Sequence, residues 1–159
     1  RGSVVPLFQQ EMAEGRLTIT DERMTRFWFT LPEAVDLVLY AMAHAVGGEI
    51  FIPKIPSMRV VDLAQAMAPD LPREVIGIRP GEKLHEVLIS EDEARTTVEL
   101  DDMYVVQPAA ALWFGHHWQD LGKALPDDYH YASDNNTEWL SLEGIKDLVA
   151  PFEKKGPTK

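Results

Sequence analysis

The sequence predicts an α/β fold, and three observations carry that expectation. Thr30-Leu31-Pro32-Glu33 has the spacing of a capping box, in which the Thr30 side chain accepts from the Glu33 N–H and Glu33 reaches back to the Thr30 N–H. Behind it Leu31, Val35, Val38, Leu39, Met42 and Val46 fall on one helical face. The order that follows is strand (49–52), helix (from Ser57) and strand (75–78), which suggests a parallel crossover. Finally, 159 residues with 45% hydrophobic and 26% charged side chains suffice for a packed core and argue against wholesale disorder.

The elements follow in order. Residues 4–12 predict a short helix after an extended start, ended by Gly15, and Leu17-Thr18-Ile19-Thr20 alternates with the period of a strand. The helix begun at Thr30 exits through Gly47-Gly48. The strand 49–52 is stopped by Pro53 and Pro56. Ser57 caps a helix carrying Val60, Val61, Ala64 and Met67, which Pro69 closes. Residues 83–89 fit helix or strand, 96–100 and 103–106 read as β, and 107–136 as mostly irregular. Ser141 caps a last helix that ends near Ala150, before Pro151. This divides the chain into a domain over residues 1–150 and a disordered tail over 151–159.

Charge excludes several partners. A net charge of −11 repels phosphate backbones and anionic lipid, so neither nucleic acid nor a membrane is expected as a partner. No apolar run approaches the roughly 20 residues a spanning helix needs. The absence of cysteine removes disulfides and thiolate metal sites and fits the cytoplasm. The start, Arg1-Gly2-Ser3-Val4, lacks both a signal-peptide layout and an initiator Met, which predicts a piece of a longer protein. The acidity is uneven. Residues 1–83 hold nine Lys/Arg against eleven Asp/Glu, whereas 84–159 hold six against fifteen. Seven of the eight arginines lie in the first part, where they could hold a small anion or simply be solvated surface charge.

Arg79-Pro80-Gly81-Glu82-Lys83 is the segment richest in chemistry. It follows a predicted strand, and open α/β folds bind ligands beyond the carboxyl ends of their strands. Arg79 offers a fork of donors to a phosphate, and Glu82 could accept from a vicinal diol such as ribose. An Arg–Glu pair that merely braces a tight turn would have the same spacing. Arg23 and Arg26 could supply a second phosphate contact or make surface ion pairs. His116-His117 lacks a third ligand at helical spacing, so no metal is expected. The sequence has no glycine-rich dinucleotide loop. None of Tyr40, Tyr104, Tyr129 and Tyr131 has a lysine four residues later, so no catalytic residue and no bound cofactor are expected on this chain alone.

Five ordered blocks then carry a resemblance. They begin Arg1-Gly2-Ser3-Val4-Val5-Pro6, Arg23-Met24-Thr25-Arg26-Phe27-Trp28, Gly48-Glu49-Ile50-Phe51-Ile52-Pro53-Lys54, Gly77-Ile78-Arg79-Pro80-Gly81-Glu82-Lys83-Leu84-His85-Glu86 and Ser133-Asp134-Asn135-Asn136-Thr137-Glu138-Trp139. Together, from Arg1 to about Val149, they resemble the C-terminal half of the inverting UDP-N-acetylglucosamine 4,6-dehydratases. These are extended short-chain dehydrogenases of the CapD-like polysaccharide-biosynthesis group, which act in pseudaminic acid synthesis. The resemblance implies the end of a Rossmann sheet plus a small substrate-binding domain, with the N-terminal dinucleotide-binding part absent. It also implies NADP and the acid/base residues on that missing half, a UDP-sugar substrate, and a homo-oligomer. By the same likeness, Val4, Val5 and Pro6 line the nucleotide-sugar with backbone, and Thr20 reads uracil. Arg26 and Arg79 hold the diphosphate, Glu82 holds ribose hydroxyls, and Asn135 and Asn136 close over the substrate. A UDP-sugar epimerase or retaining dehydratase of the same superfamily, or a binding or assembly module without catalysis, are the alternatives.

Overall fold

In a computed structural model, residues 4–108 and 118–153 are described. His116, His117 and residues 154–159 of the tail, on which expectations were placed above, lie outside the described residues. The chain opens with helix α1 (Val4–Glu14), and Gly15, at φ +83, turns it back into strand β1 (Leu17–Ile19). The Glu11 carboxylate fixes that turn by accepting from the Thr18 N–H at 2.8 Å and from the Thr18 hydroxyl. Strand β2 (Thr25–Phe27) and helix α2 (Leu31–His44) follow, the latter with the expected capping box at Thr30 and Glu33. Then come β3 (Ile50–Pro53), β4 (Ser57–Arg59), α3 (Val60–Met67) and β5 (Arg73–Val75).

β1 pairs with β5 in parallel and β2 with β4 antiparallel. The core beneath them takes Phe8 from α1, Leu17 and Ile19 from β1, Leu63 from α3, and Ile145 and Val149 from the last helix, α5 (Leu142–Glu153); each is at most 2% exposed. Every such side chain contributes about 1.5–3 kcal/mol relative to exposure.

The later strands are β6 (Val87–Ile89), β7 (Thr97–Glu99), β8 (Met103–Val106), β9 (Lys123–Ala124) and β10 (Tyr131–Ala132), with a single turn of helix α4 (Glu91–Ala94) before β7. β3, β8, β7 and β9 form one antiparallel sheet in that order. β8 is covered on both faces and shows it: Tyr104 and Val106 pack with Ile52, Ile89 and Tyr131, whereas Met103 and Val105 pack with Val98 and Trp118.

Several expectations need correction. The parallel pair is β1–β5, not the strands flanking α3; β3 pairs antiparallel with β8 instead. Ser57 does not cap α3; it lies in β4, and its hydroxyl accepts from Asn136 Nδ2 at 3.0 Å, while Arg59 occupies the cap position without capping the helix through its side chain, which pairs with Asp62 instead. α2 stops at His44 with Ala45 extended, so Gly47 and Gly48 are not its exit. The β5 strand ends at Val75, since its partner β1 is three residues long; the Ile76 N–H still donates to Ile19 O. Residues 87–89 are strand. α5 runs through Pro151 to Glu153, so the helical domain extends past the expected boundary at residue 150. Of the expected face on α2, no residue is buried.

Candidate functional site

A cleft of about 1060 Å³ opens where α1, β1, β2, the first turn of α2, the loop after β5 and α5 converge. The sequence sets each wall. Val4, Val5 and Pro6 form the first turn of α1, where the N–H groups of Val4 and Val5 have no intrahelical acceptor and Pro6 has no N–H to satisfy. Thr20 follows the last residue of β1 and completes that side. Phe29, Thr30, Leu31 and Pro32 bring the capped start of α2 to the rim.

Arg79 and Glu82 line the same cleft from a tight turn. Gly81 sits in it at φ +88, a backbone conformation that glycine adopts without strain. The Glu82 N–H donates to Arg79 O at 3.0 Å, and the Arg79 N–H donates to Glu82 Oε2 at 3.1 Å. The turn is therefore braced by backbone and carboxylate. The Arg79 guanidinium makes no hydrogen bond or ion pair among the described residues, so the two side chains are not paired with each other.

Arg26 also lines the cleft, but it is held. Its Nη1 donates to Thr25 O at 2.6 Å and Leu84 O at 3.1 Å, its Nη2 to Lys83 O at 3.0 Å, and Nε stands 3.5 Å from Glu86 Oε1. Next to it lies a buried polar chain. The Thr25 hydroxyl is 2.7 Å from His85 Nδ1 and 2.6 Å from Ser133 Oγ, and the Glu86 N–H donates to Ser133 Oγ at 2.9 Å. Thr25 is 4% and Ser133 0% exposed. β2, the 83–86 segment and the end of β10 are thus tied at one junction.

Asn135 and Asn136 are not brought to the cleft. The Asn135 amide donates to His130 O while its oxygen accepts from the Ala132 N–H. Asn136 Nδ2 donates to Ile55 O, Ser57 Oγ and Glu138 O. Both amides are spent within the protein, on backbone and on the Ser57 hydroxyl, so they brace loops. Arg23 is likewise engaged, bidentate to Asp21, whose carboxyl is held at about 2 by the Arg23 side chain and N–H. Sequence reasoning missed Glu86 and Trp28 in the cleft wall. Glu86 closes the quoted block Gly77–Glu86, a signal that could have found it. Trp28, whose buried Nε1 has no partner among the described residues, likewise closes the quoted block Arg23–Trp28.

Fold and cleft together define the class: this is the α/β architecture of part of an extended short-chain dehydrogenase. The chain belongs to the polysaccharide biosynthesis protein family, whose model matches residues 1–108. It is 44% identical over 157 residues to the UDP-N-acetylglucosamine 4,6-dehydratase (inverting) of Campylobacter jejuni strain 81-176, covering 94% of this chain and 47% of that protein. It is 39% identical over 161 residues to the UDP-glucose 4-epimerase of Rickettsia massiliae, covering 96% and 46%. Among solved structures, the X-ray structure of Pen from Bacillus thuringiensis matches with a TM-score of 0.78 and 34% identity, over 96% of this chain and 47% of that one. The chain spans about half the length of the curated relatives it matches.

Proposed function

We propose that this chain forms the UDP-sugar-binding part of a UDP-N-acetylglucosamine 4,6-dehydratase that inverts C5. The observation that carries the reading is the unpartnered Arg79 guanidinium facing the cleft that Arg26 and Glu82 also line. In this reading the Arg79 fork and the spare N–H groups of Arg26 donate to the diphosphate, and Glu82 accepts from the ribose hydroxyls. Backbone at Thr20 reads uracil, and the first turn of α1 lines the sugar. The described residues and the sequence offer no glycine-rich cradle and no Tyr-xxx-Lys pair, so they do not fit NADP. Cofactor, redox chemistry and water elimination are assigned to polypeptide outside this chain, which alone binds UDP weakly and turns nothing over. The dehydratase relatives and the polysaccharide biosynthesis family support the nucleotide-sugar chemistry of this reading, to which we add, as part of the proposal, a cytoplasmic homo-oligomer supplying polysaccharide or flagellin glycans such as pseudaminic acid.

Calorimetric titration of UDP-N-acetylglucosamine into the wild-type chain and Arg79→Ala tests the site. A loss of tenfold or more in affinity is expected, since hydrogen bonds to charged groups contribute about 1.5–3 kcal/mol; identical heats would overturn it. The Rickettsia relatives favour a second reading, a UDP-glucose 4-epimerase. Product NMR on a protein that includes the missing chemistry separates the two, because only the dehydratase inverts C5 and loses water.

A further inference from the structure

Arg26 is seated by backbone carbonyls, and the backbone that supplies them is tied to one histidine. Leu84 O accepts twice, from Arg26 Nη1 and from the Thr25 N–H, each at 3.1 Å. Thr25 O and Lys83 O accept further guanidinium hydrogens. His85 stands between Leu84 and Glu86 in that segment, and its Nδ1 lies 2.7 Å from the Thr25 hydroxyl. It is not among the residues lining the cleft.

Counting hydrogens fixes the form of the ring. Ser133 Oγ accepts from the Glu86 N–H, and its own hydrogen has Thr25 Oγ1, 2.6 Å away, as acceptor. Thr25 in turn donates to His85 Nδ1. That nitrogen must then be bare, which places the imidazole hydrogen on Nε2, 3.8 Å from Asp134 Oδ2. Every hydrogen of the buried chain now has an acceptor, running one way from Glu86 through Ser133 and Thr25 to His85. A hydrogen on Nδ1 would instead strand a hydroxyl hydrogen where Thr25 is 4% and Ser133 0% exposed.

We infer that His85 is a positioning residue for Arg26: its bare Nδ1 fixes the Thr25 hydroxyl and the 83–86 segment, and with them the three carbonyls that seat the guanidinium. This deepens the diphosphate reading and rests on it for the use to which Arg26 is put. Charges of both signs surround the ring. Asp134, from the turn after β10, and Asp21, from the turn before β2, favour an imidazolium, although Arg23 already pairs with Asp21. Arg26 of β2 and Lys83 of the histidine's own segment oppose it, and Glu86 is engaged by Arg26. A second proton would go to Nδ1 and turn the acceptor into a donor. The ring would then turn towards Asp134, the Thr25 hydroxyl would lose its acceptor, and Arg26 would loosen.

Two variants separate this role from bulk. His85→Asn keeps an acceptor near the place of Nδ1 and takes up no proton there, whereas His85→Leu keeps volume and removes the acceptor. Nitrogen NMR of the wild-type chain at about pH 8 should show His85 with Nδ1 bare. Carbon relaxation at Arg26 Cδ should report an ordered side chain at that pH in wild type and His85→Asn, and a loosened one in His85→Leu. At about pH 5 the wild type should loosen and His85→Asn should not. UDP affinity at the higher pH should fall between about threefold and tenfold in His85→Leu, the cost of ordering a loosened arginine on binding. Between the two pH values wild type should lose affinity relative to His85→Asn by a similar factor, a comparison that cancels the protonation of UDP itself. A histidine that only supports the fold would shift the melting temperature without separating those two pH profiles. A proton on Nδ1 at the higher pH overturns the inference, as do coincident pH profiles for wild type and His85→Asn. So does an Arg26 equally ordered in wild type at both pH values, a result that needs no variant to fold. If the wild-type chain takes up no UDP, the ligand reading fails, and the tautomer and relaxation results alone decide whether His85 positions Arg26.

Discussion

Replacing Ser133 by Ala removes one hydroxyl and little volume, yet the structure predicts a large effect. The Ser133 side chain accepts from the Glu86 N–H at 2.9 Å and lies 2.6 Å from the Thr25 hydroxyl, in a position with no solvent access. With alanine there, the Glu86 N–H keeps no acceptor and water cannot replace it, a cost of about 1–3 kcal/mol for a stranded donor. The backbone pair, Ser133 N–H to Glu86 O at 2.8 Å, remains and prevents a larger loss. For a chain of this size the cost corresponds to a fall in Tm of roughly 2–4 °C per kcal/mol. Urea and thermal unfolding of Ser133→Ala, Thr25→Val and the double variant measure it, with Thr25→Ser as the control that keeps the central hydroxyl. The double variant should be less destabilised than the sum of the singles, by about 0.5–2 kcal/mol, because both act on one chain of hydrogen bonds. Additive losses, or a Ser133→Ala loss under about 0.5 kcal/mol, would refute the idea that the junction is cooperative and buried.

Two further outcomes test the second sheet. A Cβ on Gly122 would lie 2.4 Å from Val98 Cγ1 and 2.5 Å from Glu99 O, so Gly122→Ala should destabilise by about 1–3 kcal/mol in a urea midpoint assay. Burial pushes the Glu49 carboxyl up, but the N–H groups of Gly47, Glu49 and Val46 and the Trp118 indole outweigh that and hold it below its ordinary value. Its contribution is therefore fully present above the usual glutamate range and lost as pH falls through the lowered folded value. Glu49→Gln should melt earlier at pH 7 by an amount worth about 1 kcal/mol after solvent screening, and the gap from wild type should close as pH falls below the usual glutamate range.

What the sequence revealed was local, and what it hid was set by partners far along the chain. Thr30 and Glu33 satisfy each other within one turn, so that capping box was legible and α2 starts where expected. Ser90 and Glu93 make the same box, yet the helix they start has four residues and no apolar repeat to announce it. Ser57 has the composition of a cap, but Asn136 and the backbone of Glu138 and Leu140, some 80 residues on, claim it for β4. β2 has no alternation of its own and exists because β4 lies beside it. In the cleft, Arg79 and Glu82 could be singled out because a proline and a glycine mark their turn. Asn135 and Asn136 stood in a block as suggestive, but side-chain amides satisfy nearby backbone as readily as a ligand, and only coordinates separate the two uses.

The anchoring of Arg26 bears on how an anion would be received. A free arginine surrenders up to about 2 kcal/mol of rotational freedom when it clamps a ligand. Three carbonyl contacts already fix this side chain, so that freedom is gone before any ligand arrives, and guanidinium N–H groups are left over. Arg79, whose guanidinium has no partner among the described residues, still has its freedom to lose. The cleft thus combines a stationary cation with a mobile one: the first sets where a negative group comes to rest, and the second can follow it in and out.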